Sequence, residues 1–141
     1  MAPTHIEHIG IAVKDLSSAI EIYEKILGLK CYKIEEVPDQ KVRTAFFRIG
    51  RTKIELLEPT DNDGPVARFI EKKGEGLHHL AFAVENLEKN LDEAKENGIR
   101  LIDTVPRKGA ECLDIAFIHP QSTGGVLIEL CEDRNVLLRD E

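Results

Sequence analysis

The sequence lacks any hydrophobic run near the roughly 18 residues that a membrane span requires, and no signal-peptide pattern opens it. It also lacks an excess of positive charge, because 19 lysines and arginines stand against 26 aspartates and glutamates, a formal net charge of −7. These two absences argue against a membrane protein, and against nucleic acid or an anionic membrane as the main partner.

Cysteine is also scarce, and no CxxC pair is present. The three cysteines are widely spaced, at Cys31, Cys112 and Cys131. We interpret them as free thiols in a reducing environment, and we expect a cytoplasmic location. With 42% hydrophobic and 32% charged residues, the 141-residue chain has the composition of a soluble globular protein and is predicted to form one domain over residues 1–141.

The most informative feature that is present is an internal repeat. His8-Ile-Gly-Ile-Ala-Val13 recurs as His79-Leu-Ala-Phe-Ala-Val84, and Lys53-Ile-Glu-Leu-Leu-Glu58 is echoed by Leu127-Ile-Glu-Leu-Cys-Glu132. One histidine and one glutamate therefore recur at equivalent places in the two half-chains. Such self-similarity predicts two fused modules of the same architecture.

Each half predicts the order strand, helix, strand, strand, strand. The first module, about 5–58, has its helix at 16–27 between Asp15 as N-cap and Gly28 as stop, with strands at 5–13, 30–37, 41–49 and 52–58. The second module, about 77–132, has its helix at 86–97 and strands at 77–84, 99–104, 112–119 and 126–132. A linker helix at about 64–74 joins them. The predicted fold class is α+β, with two βαβββ modules forming a half-open, metal-lined β trough.

The repeated histidine and glutamate indicate a metal site. A histidine on a strand is by itself more often structural, but a carboxylate between large aliphatic residues, as at Glu55 and Glu129, needs a partner. Two imidazoles and two carboxylates suit a divalent metal of borderline hardness, with positions left for water or substrate. The alternative is that the four side chains only hydrogen-bond one another. Three other histidines are predicted to be non-ligands: His78, which lies on the opposite strand face from His79, and His5 and His119, which have no partner in the repeat.

Six stretches resemble a known superfamily, the vicinal oxygen chelate proteins, which include glyoxalase I, extradiol dioxygenases and bleomycin-resistance proteins. Within this superfamily, the chain most resembles the methylmalonyl-CoA epimerase family, over nearly its whole length. The stretches are His8-Ile-Gly-Ile-Ala-Val13, Val37-Pro-Asp-Gln40, Ile54-Glu-Leu-Leu-Glu-Pro59, Gly74-Glu-Gly-Leu-His-His-Leu-Ala81, Ala116-Phe-Ile-His-Pro120 and Gly125-Val-Leu-Ile-Glu-Leu130.

The resemblance implies a glyoxalase-like fold and an isomerase that inverts the α-carbon of methylmalonyl-CoA, removing its proton through a metal-stabilised enolate. It implies one divalent ion per chain, with Co²⁺ favoured over Ni²⁺, Mn²⁺ and Zn²⁺. It also implies an acyl-CoA substrate and a homodimer. Glu129 would be a catalytic base as well as a ligand. The implied metal ligands are His8, Glu55, His79 and Glu129.

The chain departs from its relatives at several of the implied functional positions. Thr44 stands where some relatives carry a second catalytic carboxylate, which leaves Glu55 or a metal-bound water as the second proton carrier. Glu111 and Cys112 replace a pair of glycines, and Gln121 replaces a lysine. The positions implied to contact substrate are Gln40, Thr44, Lys108, Gly109 and Gln121.

Three other functions account for part of these features. Glyoxalase I, or lactoylglutathione lyase, uses the same ligand types on a different substrate, a thiol adduct. A dioxygenase would use two histidines and one carboxylate, so the fourth ligand disfavours it. A metal-free binding protein would not need the ligand set. A metal analysis and a panel of substrates separate these functions.

Overall fold

The computed structural model describes residues 2–134; Met1 and residues 135–141, which the predicted domain includes, lie outside this range. The helices are α1 (Leu16–Leu27), α2 (Pro65–Lys73) and α3 (Leu87–Glu96). The strands are β1 (His5–Ala12), β2 (Lys33–Val37), β3 (Val42–Ile49), β4 (Thr52–Pro59), β5 (Gly76–Ala83), β6 (Arg107–Lys108), β7 (Asp114–Ile118) and β8 (Ile128–Glu132). The chain forms two compact units: the first is His8–His78, and the second combines 2–7 with 79–134.

The first unit carries strands in the order β2-β3-β4-β1, with β1 parallel to β4 and the other pairs antiparallel. Alternation along each strand sends large apolar side chains to one face, where they meet the apolar stripe of α1. Asp15 caps this helix and Gly28, with a φ of 66°, ends it, as predicted. The buried core of this face consists of Val13, Leu16, Ala19, Ala45, Phe47 and Leu56.

The second unit repeats the plan, with strands in the order β5-β8-β7-β6 and β5 parallel to β8. Helix α3 begins after Asn86, whose side chain accepts a hydrogen bond from the Lys89 N–H. The apolar residues of α3 pack against the sheet in a core of Val84, Leu87, Leu91 and Ala116. The α+β class and the duplicated strand and helix order are therefore as predicted.

One predicted strand, at 99–104, is wrong. Only Leu101 makes a β-bridge, to Ile118, and the regular strand in this region is the two-residue β6. The N–H groups of Ile102 and Asp103 both donate to the Phe117 carbonyl, and the Asp103 carboxylate accepts from the Phe117 N–H at 2.9 Å. A side chain thus takes the place of a backbone acceptor, which bends the segment out of the ladder.

Within the described residues, no helix has the length and apolar character needed to cross a membrane.

Candidate metal centre

The first histidine–glutamate pair is placed by the parallel pairing of β1 and β4. The register sets Gly10 opposite Glu55, and His8 two residues earlier on the same face. The His8 Nδ1 lies 3.2 Å from the Glu55 Oε2. Both residues are buried, with 4% and 3% of their surface exposed. The His8 imidazole and the Glu55 carboxylate are therefore held together away from solvent.

The second pair has the same construction in the other unit. The register of β5 and β8 sets Ala81 opposite Glu129, and His79 again stands two residues earlier. The His79 Nε2 lies 3.1 Å from the Glu129 Oε1, and both residues are buried. Gly10 and Ala81 are the small residues beside the two carboxylates. The repeat seen in the sequence is thus also a repeat of strand register, although His8 approaches its carboxylate through Nδ1 and His79 through Nε2.

The donor set of each pair fits a divalent cation. Ligand atoms about 2.0–2.2 Å from such an ion, at tetrahedral or octahedral angles, lie roughly 3 Å from each other. The nitrogen–oxygen distances of 3.2 and 3.1 Å match this spacing. Their length also matches that of a direct hydrogen bond, the alternative to a bound metal ion. Imidazole nitrogens with carboxylate oxygens suit the first-row ions from Mn²⁺ to Zn²⁺.

An aromatic ring stands beside each carboxylate. Phe46 on β3 is paired with Glu55, and Phe117 on β7 is paired with Glu129. The His79 ring meets Phe117 edge-on, with centroids 5.7 Å apart. Phe46 is fully buried. Rings at these positions keep the surroundings of the carboxylates poor in water, which strengthens any charge interaction there.

Two further glutamates of the repeat have a different task. The Glu58 carboxylate accepts a hydrogen bond from the first N–H of α1, that of Leu16, and the Glu132 carboxylate accepts one from the first N–H of α3, that of Leu87; both are 2.9 Å long. The free N–H groups at the start of a helix favour an anion. The repeat therefore preserves one glutamate of each module at a buried histidine and another at a helix start.

Lys53 on β4 lies on the same strand face as Glu55 and was not among the site residues predicted from the sequence. Only 3% of its surface is exposed, and its Nζ lies 3.9 Å from the Glu55 Oε2. A buried lysine is uncommon and requires an anion nearby. The signal in the sequence was its position, two residues before Glu55 on an alternating strand, which sends both side chains to the same face.

Two of the predicted substrate contacts lie in the first unit. Thr44 on β3 has 1% of its surface exposed, and its partners in the ladder are Glu35 on β2 and Leu57 on β4. Gln40 is half-buried in a short 3-10 turn, Pro38–Gln40. Their contact with substrate stays a prediction.

The other three predicted contacts, all in the second unit, have local structural explanations. A Cβ at Gly109 would lie 2.9 Å from the Ile115 side chain, so glycine is needed there for packing. Gln121 accepts a hydrogen bond from the Arg100 guanidinium. Lys108 Nζ lies 2.7 Å from the Asp114 carboxylate. These roles do not depend on a substrate.

Asp114 is the buried acid of a charged cluster on β7, where it contacts both Lys108 and Arg134. Burial alone would raise the pKa of Asp114. The hydrogen bonds from Lys108 and Arg134 outweigh burial, so the pKa of this carboxyl group is lowered. The cluster lies on an edge of the second unit's sheet and joins β6 to the end of β8.

The three histidines predicted to be non-ligands each make a local contact. His119 Nδ1 accepts a hydrogen bond from the Gln121 N–H and so caps a short 3-10 turn. The ring of His78 meets Phe69 edge-on at 5.0 Å. The His5 Nδ1 lies 2.9 Å from the hydroxyl oxygen of the adjacent threonine.

Comparison with known proteins identifies the family. The sequence profile of the Glyoxalase/Bleomycin resistance protein/Dioxygenase superfamily matches residues 7–117. The chain belongs to this superfamily. The resemblance seen in the sequence and the glyoxalase-like fold class are thereby confirmed.

Relatives within the superfamily include named epimerases. The chain is 36% identical over 126 residues to the mitochondrial methylmalonyl-CoA epimerase of Homo sapiens, covering 89% of this chain and 72% of that protein. It is 48% identical over 129 residues to the uncharacterized protein YqjC of Bacillus subtilis, covering 92% of each. A lactoylglutathione lyase of Escherichia coli is 31% identical over 130 residues, covering 91% of this chain and 92% of that enzyme.

A solved structure agrees with these relatives. A variant of Streptomyces coelicolor methylmalonyl-CoA epimerase in complex with 2-nitronate-propionyl-CoA is 35% identical, with a TM-score of 0.92 over 96% of this chain and 98% of the other. That neighbour binds an acyl-CoA compound. The prediction of an isomerase is confirmed at the level of these relatives, since methylmalonyl-CoA epimerases are isomerases.

Proposed function

We propose that this protein is a metal-dependent epimerase that inverts the α-carbon of methylmalonyl-CoA. The observation that carries the proposal is the duplicated histidine–glutamate pair, buried and in the same strand register in both units of a chain whose relatives include named epimerases. The proposed ligands of one divalent ion, with Co²⁺ favoured, are His8, Glu55, His79 and Glu129.

The reaction requires loss of the proton between a thioester and a carboxylate. Its removal leaves negative charge on the thioester oxygen, and a bound divalent cation supplies the positive charge that stabilises it, worth several kcal/mol. The chain's own part is to hold reacting groups in a dry, fixed arrangement. Burial of all four side chains and their attachment to paired strands support that role.

Glu129 is the proposed base. A carboxylate aimed at the α-proton typically contributes about 10²–10⁴-fold to the rate. Inversion also needs a proton returned on the opposite face, and Glu55, the repeat equivalent of Glu129, is the proposed second carrier. The hydroxyl of Thr44 is too weakly basic to serve as this carrier.

Exchange of the α-proton with solvent tests the proposal directly. Wild-type protein loaded with Co²⁺ should exchange the α-proton of methylmalonyl-CoA for deuterium, as followed by NMR. The Glu129→Gln variant should keep its fold while exchange falls at least 100-fold, because an amide cannot accept the proton. The Thr44→Ala variant is the comparison, and it should lose far less exchange than Glu129→Gln, because the Thr44 hydroxyl is not the proposed base.

The second candidate is a lactoylglutathione lyase, favoured by the 31% identity to the Escherichia coli enzyme. The same preparation should therefore be offered the methylglyoxal–glutathione adduct. Turnover of that adduct without exchange of methylmalonyl-CoA would replace the epimerase proposal with this one.

A further inference from the structure

Lys53 introduces a positive charge beside one of the two repeated pairs. Its Nζ lies 3.9 Å from the Glu55 Oε2, and the side chains of both residues are 4% exposed. The His8 Nδ1 contacts the same oxygen at 3.2 Å. The ammonium group also lies over the Phe46 ring, 5.8 Å from its centroid. Lys53 is thus one of the side chains that lie close to the Glu55 carboxylate.

The position of Lys53 follows from the fold of the first unit. In the parallel register of β1 and β4, Lys53 lies opposite His8, while Glu55 lies opposite Gly10. Residues two apart on a strand share a face, so Lys53 and Glu55 project together. An ammonium in such surroundings remains there only when an anion compensates for its lost hydration.

The second module has no lysine at the equivalent position. Lys53-Ile-Glu55 in the first module corresponds to Leu127-Ile-Glu129 in the second. The repeat therefore keeps the histidine and the glutamate but changes the residue two positions before the glutamate from cationic to apolar. This difference supplies a matched pair of positions on which the effect of the charge can be measured.

We propose that Lys53 is a positioning residue that holds the Glu55 carboxylate in place and offsets its negative charge while no cation is bound. Like charges repel, so the same ammonium weakens the binding of a divalent cation at Glu55. Lys53 thereby stabilises the metal-free protein and lowers its affinity for the ion. The affinity part of this inference rests on the metal site of the proposed function.

The test compares Lys53→Met with the control Leu127→Met. Metal is removed with a chelator, the melting temperature of the apo form is measured, and Co²⁺ alone is then titrated by calorimetry. Lys53→Met should melt at a lower temperature than wild type when metal-free, yet bind Co²⁺ at least tenfold more tightly. Leu127→Met should leave the Co²⁺ affinity unchanged. If Lys53 had only a packing role, its replacement by methionine would not tighten Co²⁺ binding.

A double variant tests the coupling between the two side chains. In Lys53→Met/Glu55→Gln, the neutral amide no longer needs a cation, so the loss of apo melting temperature should be smaller than the sum of the two single losses. Lys53→Gln provides a second uncharged variant if methionine prevents folding. Unchanged or weaker Co²⁺ binding by the uncharged variants, or strictly additive melting losses, would overturn the inference.

Failure of the proposed function would give a different result from failure of the inference about Lys53. If wild-type protein binds no Co²⁺, the metal site and the affinity effect are both refuted. The melting temperatures of the metal-free single and double variants then decide the positioning role of Lys53 by themselves.

Discussion

Replacement of His79 by alanine separates the metal hypothesis from a plain hydrogen bond between histidine and glutamate. The His79 Nε2 lies 3.1 Å from the Glu129 Oε1 in a buried setting, so the variant removes one proposed ligand and also the partner of a buried carboxylate. The neighbouring His78 is half-buried and packs edge-on against Phe69, which makes His78→Ala the matched control.

The expected size of the effect follows from linkage between binding and folding. A ligand present at 100 times its dissociation constant, and bound only by the folded state, adds about 2.7 kcal/mol to the free energy of unfolding. For a chain near 150 residues, each kcal/mol raises the melting temperature by roughly 2–4 °C. Co²⁺ at that concentration should therefore raise the melting temperature of wild-type protein by about 5–11 °C.

The assay is calorimetric melting of each variant with and without Co²⁺, so that the shift is compared within one variant. His78→Ala should keep most of the shift, and His79→Ala should lose nearly all of it. A full shift in His79→Ala, or an equal loss in both variants, would refute the assignment of His79 as a ligand. A shift absent from wild type would favour the hydrogen-bond alternative.

Three further predictions concern stability and assembly. Removal of either carboxylate at a helix start, by Glu58→Ala or Glu132→Ala, should lower the free energy of unfolding by about 1 kcal/mol in urea titrations, without altering Co²⁺ affinity. Because Lys108 and Arg134 lower the pKa of Asp114 in the folded state, its contribution to stability is present above about pH 4 and is lost as the pH falls toward the lowered pKa. Urea unfolding of Asp114→Asn should show less loss of stability below pH 4 than wild type does. The chain should sediment as a homodimer, and a single 15.8 kDa species at micromolar concentration would contradict this.

Local sequence signals were sufficient for most helices and strands. Asp15 and Gly28 mark the two ends of α1. Both end signals, a side-chain acceptor at the start and a left-handed φ at the stop, come from residues next to the helix itself. The predicted strand at 99–104 failed for the opposite reason. Its apolar residues satisfy the pattern of a strand, but the Asp103 carboxylate accepts a hydrogen bond from the N–H of Phe117, a residue distant in sequence.

The sequence alone predicts two like modules, with one histidine and one glutamate at matching positions in each. It could do so because a repeat and a strand period of two are read along the chain without knowledge of its path. The role of the other two repeated glutamates became clear from the folded chain alone. Glu55 and Glu129 meet buried histidines, whereas Glu58 and Glu132, three residues further along the same strands, meet the starts of helices. The burial of Lys53 against Glu55 was likewise decided by folding, because burial and the distance between charges depend on how strands pair and on what covers them.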